Sequence, residues 1–293
     1  MPLAPRLVSL RDGNAMPQLG FGTWQIANAD CAAILGEAIR RGYRAIDTAQ
    51  GYGNEEGVGA ALRDCGLARQ DLFITSKLDN ANHAADRVRQ SLDESLYKLG
   101  TDYLDLFLIH WPVPQQNRFV EAWQTMIALQ TEGRLRSIGV SNFNRPHIEL
   151  LVKETGITPA VNQIELHPRF QQRDLRGYHQ RRAIRIQSWS PLGPGTTSAA
   201  IWGRALRPGG ESLLDDPTLQ SIAARHKKTV AQIIIRWHLD EGLMLAPKTI
   251  RPERMTENIE VFDFALDAEE RYRIEAMDLG LRLGPDPLTM NDL

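Results

Sequence analysis

The stretch "YLDLFLIHWPVPQQNRFVEAWQTMIALQTEGRLRSIGVSNF", residues 103–143, contains the pattern that decides the fold. A short apolar run, "YLDLFLIHW", precedes an amphipathic run of helical periodicity, "RFVEAWQTMIALQTEG", and a second short apolar run, "RSIGVSNF", follows. Short buried strands that alternate with helices are typical of parallel sheets, because parallel neighbours need a crossover connection. The stretch therefore predicts one strand–helix–strand unit.

The same alternation continues along the whole chain. Strand-like and helix-like runs follow one another at 18–24 and 30–42, 43–49 and 54–66, 72–78 and 83–100, 103–111 and 118–133, 136–143 and 145–155, 160–166 and 172–182, 184–192 and 217–242, and 243–250 and 251–263. Eight units in a chain of 293 residues predict the α/β class and a (β/α)8 TIM barrel. A doubly wound open sheet is the alternative.

Additional elements are expected at both ends of the barrel. Asp12-Gly13 marks a turn that predicts an N-terminal β-hairpin cap, and a helical run near 267–277 predicts an extra C-terminal helix. The segment 193–216, with its glycines and prolines, is expected to be a loop internal to the barrel. Because no linker or low-complexity segment divides the chain, we expect a single domain over 1–293.

Composition restricts the class of protein. The chain has 34 basic and 36 acidic residues, a net charge of −2, which argues against nucleic-acid partners and anionic membrane surfaces. The only cysteines, Cys31 and Cys65, cannot form a disulfide framework or a zinc site. Arg6 and Arg11 interrupt the start of the chain, and no apolar run is long enough to span a membrane. We expect a cytoplasmic monomer that binds a small molecule.

Polar residues recur where the predicted strands end. These residues are Asp47, Lys77, His110, Ser141, Asn142, Gln163, Trp189, Ser190 and Lys248. One polar residue at a strand end is usually a cap or a turn former, but active sites of barrels collect at the carboxyl ends of the strands. So many positions directed at one rim predict an active site.

The stretch "AIDTAQGYGNEEGVG", residues 45–59, invites an interpretation as a dinucleotide loop. From Gly51 onward, however, the glycines read G-x-G-x-x-x-G, one residue longer than the Rossmann spacing. Glu55 and Glu56 also lie at the predicted helix start, where they would repel a pyrophosphate. The glycines are better interpreted as a tight turn that projects Tyr52 over the rim.

Tyr52 and its predicted neighbours suit one kind of chemistry. A free tyrosine, with a pKa of about 10, is a poor acid at neutral pH, but a nearby ammonium lowers that pKa. Lys77 on the adjacent strand could supply the ammonium, Asp47 could hold it, and His110 could donate to a substrate oxygen. Each residue alone could be a turn tyrosine, half of a salt bridge or a satisfied histidine. Together they favour a reaction that protonates an oxygen, such as carbonyl reduction by hydride.

These segments together resemble the aldo-keto reductase family. "GYRAIDTAQGYGNEEGVG" is similar to the family stretch with the aspartate and tyrosine, "FITSKL" to its lysine strand and "YLDLFLIHWP" to its histidine strand. "IGVSNF", "VNQIELHP", "SWSPLG" and "PKTIRPERMTEN" resemble its cofactor-binding segments. The resemblance runs from about Gly20 to Phe264, and the short ending is most similar to bacterial members related to 2,5-diketo-D-gluconic acid reductase.

The resemblance implies a function and catalytic roles. It implies an NADPH-dependent oxidoreductase that reduces aldehydes or ketones, including diketones or sugar-derived carbonyls, to alcohols without a metal. Tyr52 would be the general acid, Lys77 and Asp47 would lower its pKa, and His110 would orient the carbonyl.

It also implies a set of contacts to NADPH or NADP+. These come from Gly22, Thr23, Asp47, Ser141, Asn142, Gln163, Trp189, Ser190, Leu192, Lys248, Thr249, Ile250, Arg254, Glu257 and Asn258. Within this set, Trp189 would stack on the nicotinamide, while Lys248 and Arg254 would bind the 2′-phosphate. A phosphate monoester favours charged donors, which supports NADPH over NADH.

Some residues depart from the family pattern and leave the substrate open. Asp79 stands where relatives often carry a tryptophan, and Gly51 replaces a larger residue beside the tyrosine. Thr249 stands where serine is common. We expect Trp24, Trp111 and Asp79 to form the substrate pocket, with Phe119 as a further candidate, although each tryptophan could equally pack in the core.

Two other classes of function remain as alternatives. Lys77 at a strand end could form a Schiff base, as in an aldolase-type lyase. The barrel could also be a nucleotide-binding regulatory module with little turnover.

Overall fold

The computed structural model describes residues 6–193 and 212–292, which contain a parallel sheet of eight strands. Every neighbouring pair in this sheet is parallel, in the order β3 to β10. The strands are β3 (Phe21–Gly22), β4 (Ala45–Asp47), β5 (Phe73–Leu78), β6 (Leu104–Ile109), β7 (Leu135–Ser141), β8 (Val161–Glu165), β9 (Arg185–Trp189) and β10 (Met244–Leu245).

Hydrogen bonds between the first and last strands close the sheet into a ring. The Gly20 amide donates to the Leu245 carbonyl at 2.8 Å, and the Leu245 amide donates to the Gln18 carbonyl at 3.0 Å. The Gly22 amide continues the series to the Pro247 carbonyl at 3.2 Å. The predicted (β/α)8 barrel is therefore confirmed, and the open-sheet alternative is wrong.

The helices alternate with the strands as the periodicity predicted. In the described residues they are α1 (Asn28–Arg40), α2 (Glu55–Asp64), α3 (Ala85–Leu99), α4 (Phe119–Thr131), α5 (Arg145–Thr155), α6 (Arg173–Arg181), α7 (Pro217–His226), α8 (Val230–Asp240), α9 (Pro252–Ile259) and α10 (Ala268–Glu275). None of the described helices is long and apolar enough to cross a membrane. Most of the predicted loop 193–216 lies outside the described residues.

Local chemistry sets where these helices begin and end. The Asp267 side chain accepts a hydrogen bond from the Glu270 amide, and the Glu270 side chain accepts one from the Asp267 amide, which forms a capping box at the start of α10. This helix is the C-terminal helix that the sequence predicted. Thr229 and Gln232 form the same box at the start of α8. Gly156 ends α5 with a φ of 72°, a left-handed conformation that glycine adopts without steric cost.

The predicted N-terminal hairpin is present and covers the amino end of the barrel. Its strands β1 (Leu7–Ser9) and β2 (Ala15–Pro17) pair antiparallel around the predicted Asp12-Gly13 turn. Leu10 and Met16 from the hairpin belong to a buried cluster with barrel residues such as Phe73 and Leu106. The hairpin therefore closes one end of the barrel and leaves the other end to the loops after the strands.

Glycines of α2 explain part of the glycine-rich stretch that begins at residue 45. A Cβ on Gly57 would lie 2.3 Å from the Asn28 carbonyl oxygen of α1, and one on Gly59 would lie 2.1 Å from the Lys98 oxygen of α3. Real Cβ atoms do not approach so closely, so these two glycines let α2 pack tightly against both neighbours. Only Gly53, with a φ of 65°, shapes the turn itself in a left-handed conformation.

Candidate active site

A cavity of about 550 Å³ opens at the carboxyl ends of the strands. Many of the residues predicted from the strand ends and from the resemblance line it. They are Gly22, Trp24, Asp47, Tyr52, His110, Trp111, Ser141, Asn142, Gln163, Trp189, Ser190, Leu192, Lys248 and Arg254. The rim therefore brings together residues as far apart in the chain as Gly22 and Arg254.

Below the cavity floor, Lys77 connects an acid to a phenol. Its Nζ donates to Asp47 Oδ1 at 2.6 Å, to the Thr48 carbonyl at 2.9 Å and to the Tyr52 hydroxyl at 3.1 Å. Lys77 is fully buried, and Asp47 is 6% exposed. A buried ammonium is costly unless it is paired and hydrogen-bonded, and these three acceptors satisfy all of its donors.

The protonation states of this group follow from burial and charge. Burial raises the pKa of Tyr52 and outweighs the Lys77 ammonium, which acts to lower it. Lys77 therefore acts on the pKa in the predicted direction, whereas the Asp47 charge acts to raise it, and desolvation of the phenolate is the largest effect. Burial by itself lowers the pKa of Lys77, but the interactions with Asp47 and Tyr52 raise it by more. The net shift is upward, so the ammonium stays charged.

His110 faces Tyr52 across the cavity. Their ring centroids are 5.8 Å apart in an edge-to-face arrangement. Burial, together with the Lys77 charge, lowers the pKa of His110 to about 3. The imidazole is consequently neutral near pH 7 and offers one N–H donor beside the phenol.

Side chains that the sequence did not single out hold the Tyr52 turn in place. The Gln50 amide nitrogen donates to the Ser91 carbonyl at 2.9 Å and to Ser95 Oγ at 2.9 Å, both on α3. The Asn54 amide nitrogen donates to the Thr23 carbonyl at 2.8 Å, and its oxygen accepts from Thr48 Oγ1 at 2.9 Å. By sequence, Asn54 before a helix is an ordinary N-cap candidate, so only its long-range partners reveal this role.

On the opposite wall, polar side chains are hydrogen-bonded to one another. Gln163 Nε2 donates to Asp47 Oδ2 at 2.6 Å and to Gln187 Oε1 at 2.8 Å. Asn142 Oδ1 accepts from the Trp189 indole nitrogen at 2.8 Å, and Asn142 Nδ2 donates to the His110 carbonyl at 3.1 Å. These contacts set the orientation of the indole at the cavity wall and leave the Gln163 amide oxygen as a further acceptor. Gln187, which the sequence did not indicate, supports Gln163 from the next strand.

Three non-glycine residues lining the cavity have left-handed backbone conformations. These are Gln25 with a φ of 62°, Asn142 with a φ of 63° and Ser190 with a φ of 47°. Such conformations cost about 1–3 kcal/mol each and cluster at ligand sites, where the surrounding structure imposes them. Strained backbone at three positions of the lining is typical of a ligand-binding cavity.

Two basic side chains of the cavity, Lys248 and Arg254, have no acidic partner in an ion pair among the described residues. Lys248 and Arg254 both line the cavity and are exposed, and neither takes part in an ion pair within the described part of the chain. Arg254 is in the first turn of α9, whose free amides favour anions. Unpaired cations at a helix start favour the binding of an anion such as a phosphate group.

The remaining predicted residues do not line the cavity. Thr23 Oγ1 is buried and donates to the Asp47 carbonyl at 3.1 Å, while Thr249 accepts from the Arg251 amide. Ile250 is exposed, and Glu257 and Asn258 lie on α9. Thr249, Ile250, Glu257 and Asn258 are close in the chain to Lys248 and Arg254.

One residue predicted as a further candidate for the substrate pocket needs correction. Phe119 packs in the core against Phe143, with ring centroids 5.4 Å apart, because it begins the buried face of α4. Asp79 is not among the residues that line the cavity, but its Oδ2 would lie 3.2 Å from a Cβ on the cavity residue Gly51. Trp24 and Trp111 do line the cavity.

No group of three or more histidine, cysteine, aspartate or glutamate side chains suited to a metal occurs in residues 6–193 and 212–292. A half-buried phenol that is hydrogen-bonded to an ammonium and faces a neutral imidazole can give a proton to an oxygen.

Comparisons with known proteins agree on one family. The model of the aldo/keto reductase family matches residues 18–279. The methylglyoxal reductase DkgA of Salmonella typhimurium is 49% identical, with 97% of both chains covered. A mutant of Gox0644 in complex with NADPH superposes with a TM-score of 0.89 at 42% identity, covering 98% of this chain and 99% of that one. An aldo-keto reductase of Bombyx mori in complex with NADP has a TM-score of 0.86 at 36% identity, covering 97% and 96%.

Proposed function

The chain belongs to the aldo/keto reductase family and is an NADP-dependent carbonyl reductase, and we propose that Tyr52 is its general acid and that small aldehydes and 2-oxoaldehydes such as methylglyoxal are its substrates. The observation that carries the proposal is the connection of Asp47, Lys77 and Tyr52 under the cavity, with His110 opposite. The substrate class is supported by the relatives named methylglyoxal reductase.

The residues around the cavity fit NADPH. Ser188 lines the cavity with a buried Oγ that has no partner among the described residues, and the cations of Lys248 and Arg254 are unpaired. A Cβ on Gly22 would lie 2.7 Å from the Ala246 oxygen, so only a glycine lets these two backbones meet at the cavity wall. We assign Lys248 and Arg254 to the 2′-phosphate, with Thr249, Ile250, Glu257 and Asn258 around the adenosine.

The nicotinamide end of the site follows from the opposite wall. We assign Ser141, Asn142 and Gln163 to the carboxamide, with the Gln163 oxygen as acceptor because both of its N–H groups are already used. Trp189 would stack on the ring, its indole oriented by Asn142. Gly22, Thr23, Asp47, Ser190 and Leu192 would complete the contacts.

In the proposed reaction, side chains of the protein supply the proton. When bound, NADPH supplies a hydride to the carbonyl carbon. As negative charge develops on the carbonyl oxygen, the Tyr52 hydroxyl gives up its proton to that oxygen, while the neutral His110 donates a hydrogen bond. The Lys77 ammonium, 3.1 Å from the Tyr52 oxygen, offsets the phenolate charge that remains. Asp47 keeps Lys77 protonated and in position.

The two alternative functions fit the geometry less well. A Schiff base requires a free neutral amine, whereas the Lys77 nitrogen is a charged ammonium with three acceptors. A regulatory barrel with little turnover would have no use for a half-buried acid aligned with Lys77 and His110.

The proposal is tested by mixing purified protein with NADPH and methylglyoxal and following the loss of NADPH absorbance. We expect turnover with NADPH and slower turnover with NADH, and formation of the hydroxyketone or hydroxyaldehyde product. Absence of NADPH oxidation with methylglyoxal and with simple aldehydes would contradict the proposed substrates.

We also propose that residues 1–293 form one domain that acts as a cytoplasmic monomer. Cys31 and Cys65 are free thiols, as expected in a reducing compartment. Light scattering on the purified protein measures the mass, and a dimer would contradict the monomer.

A further inference from the structure

A gap in the cavity wall beside His110 contains a carboxylate. Gly51 lines the cavity, and a Cβ placed on it would lie 3.2 Å from Asp79 Oδ2 and 4.0 Å from His110 Nδ1. The missing side chain of Gly51 therefore leaves a space that borders both a candidate catalytic group and an acid. A larger residue at position 51 would separate the two.

The acid is held at this gap by the turn that carries Tyr52. The Asp79 amide donates to Gln50 Oε1 at 2.8 Å, and the Gln50 nitrogen is itself anchored to Ser91 and Ser95 of α3. Because Gln50 directly precedes Gly51, this contact sets the end of β5 against the gap. The position of Asp79 is thus built into the site.

One oxygen of Asp79 is available to a ligand. Its Oδ1 accepts from the Ala81 amide at 3.1 Å, whereas its Oδ2, on the Gly51 side, accepts no hydrogen bond within residues 6–193 and 212–292. Nearby cations do not neutralise the charge. Burial lowers the pKa of His83 to about 4, so its imidazole is neutral, and the Lys77 ammonium is paired with Asp47.

We propose that Asp79, reached through the gap at Gly51, is a specificity-determining residue that accepts a hydrogen bond from a hydroxyl group next to the substrate carbonyl. When the carbonyl oxygen lies between Tyr52 and His110, a hydroxyl on the next carbon can turn to the same side as that oxygen and so face Gly51 and Asp79. A hydroxyl donor there gains a charge-assisted hydrogen bond, and a carboxylate there meets a like charge. Among small aldehydes and ketones, those with a neutral neighbouring hydroxyl group are favoured and carboxylated ones are disfavoured.

The inference rests on the proposed function, because it concerns the substrate of the same site. Its test compares kcat/KM for glyceraldehyde, propanal and glyoxylate with NADPH, in the parent and in Asp79→Ala, Asp79→Asn and Gly51→Val. Hydrogen bonds to charged groups typically change such ratios by about tenfold or more. We therefore expect Asp79→Ala to lower the glyceraldehyde-to-propanal ratio about tenfold.

The other variants separate charge from shape. Asp79→Asn keeps an acceptor without the charge, so it should raise activity toward glyoxylate while the glyceraldehyde ratio falls less than in Asp79→Ala. Gly51→Val closes the gap and should lower the glyceraldehyde ratio as Asp79→Ala does. Asp102→Ala, an exposed acid before β6 at the opposite end of the barrel, is the matched control and should change nothing.

Two results would overturn the inference in distinguishable ways. If Asp79→Ala lowers kcat/KM equally for all three aldehydes, Asp79 has only a structural role and the proposed function stands. If the parent oxidises NADPH with none of the three, the proposed function fails and the inference fails with it.

Discussion

The phenol of Tyr52 is subject to two opposing influences. Burial raises its pKa, which keeps the hydroxyl protonated at neutral pH and ready to act as an acid. The Lys77 ammonium, held at 3.1 Å, opposes that rise and stabilises the phenolate that proton transfer leaves behind. In the proposed reaction, the residue thus retains its proton beforehand and has a counter-charge afterwards.

Replacing Tyr52 by phenylalanine should remove the acid and spare the fold. We expect kcat for an aldehyde to fall by about 10²–10⁴, because a general acid contributes that much. The NADPH dissociation constant should stay within about twofold, since the hydroxyl is proposed to contact the substrate and not the coenzyme. Tyr97→Phe is the control, because Tyr97 is 88% exposed. Turnover of Tyr52→Phe close to that of the parent would exclude Tyr52 as the acid.

At the end of the barrel away from the cavity, hydrogen bonds and ion pairs connect the starts of the neighbouring strands β5, β6 and β7. Asp105, the second residue of β6, accepts from the Ile74 amide of β5 at 2.9 Å and pairs with Arg69 at 2.8 Å. Arg136 at the start of β7 approaches the same carboxylate at 3.7 Å, and both guanidiniums lie over the Tyr103 ring. This arrangement stabilises the barrel and is remote from the rim.

Asp105→Ala should therefore lower stability without changing catalysis. Removing one partner of a buried ion pair leaves the other uncompensated, so we expect the free energy of unfolding to fall by roughly 3 kcal/mol. Urea denaturation measures the loss. Asp93→Ala is the control: Asp93 pairs with Arg134 on the surface and is 61% exposed. Reduced kcat/KM in Asp105→Ala at low urea would show that the two ends of the barrel are coupled.

Helix α9 presents its first turn to the cavity and carries Arg254 there. If Arg254 binds the 2′-phosphate, Arg254→Ala removes a charge-assisted contact of about 1.5–3 kcal/mol. The NADPH dissociation constant should then rise about 10–150-fold, while that of NADH stays nearly unchanged. Quenching of protein fluorescence measures both constants, and Arg87→Ala on the exposed face of α3 is the control. Equal weakening of both coenzymes would assign Arg254 to a group that they share.

Over the whole molecule, several histidines are buried in the neutral form. Burial lowers the pKa of His83, His179 and His238 to about 4 each, and that of His110 to about 3. The same residues have a pKa of about 6.5 in an unfolded chain. Between about pH 6.5 and 4 the unfolded chain therefore binds protons that the folded chain does not. Stability is fully present above this window and is lost as the pH falls through it.

His83→Leu should make this acid sensitivity smaller. Both ring nitrogens of His83 are buried without a hydrogen-bond partner in the described part of the chain, so an apolar side chain of similar size loses no contact there. We expect unchanged or higher stability at about pH 7.5, and a slope shallower by about 1.4 kcal/mol per pH unit between about pH 6.5 and 4. Denaturation at a series of pH values tests this. An unchanged slope would mean that His83 titrates normally in the folded protein.

The order and type of the elements were predictable, and so was the rim. Helical and strand periodicities record which face of each element is buried, and this is a local property of the chain. Parallel strands share one carboxyl edge, so Asp47, Lys77 and His110 had to meet once the barrel was recognised. The helix α5 was predicted at its observed bounds, Arg145–Thr155, because its apolar spacing is flanked by Asn144 and Gly156.

Contacts between distant loops and the balance of charge against burial were decided only by the tertiary structure. Gln50 is hydrogen-bonded to Ser91 and Ser95, which are 41 and 45 residues further along the chain, and Gln163 is hydrogen-bonded to Asp47, 116 residues away. No local sequence pattern encodes these partners. Asp79 is a pocket candidate by sequence, but only the structure shows its Oδ2 beside the cavity residue Gly51. The rise in the pKa of Tyr52 likewise depends on how deeply the phenol is buried. Burial depth is set by the packing of the whole barrel, whereas the sequence shows only which charges are available.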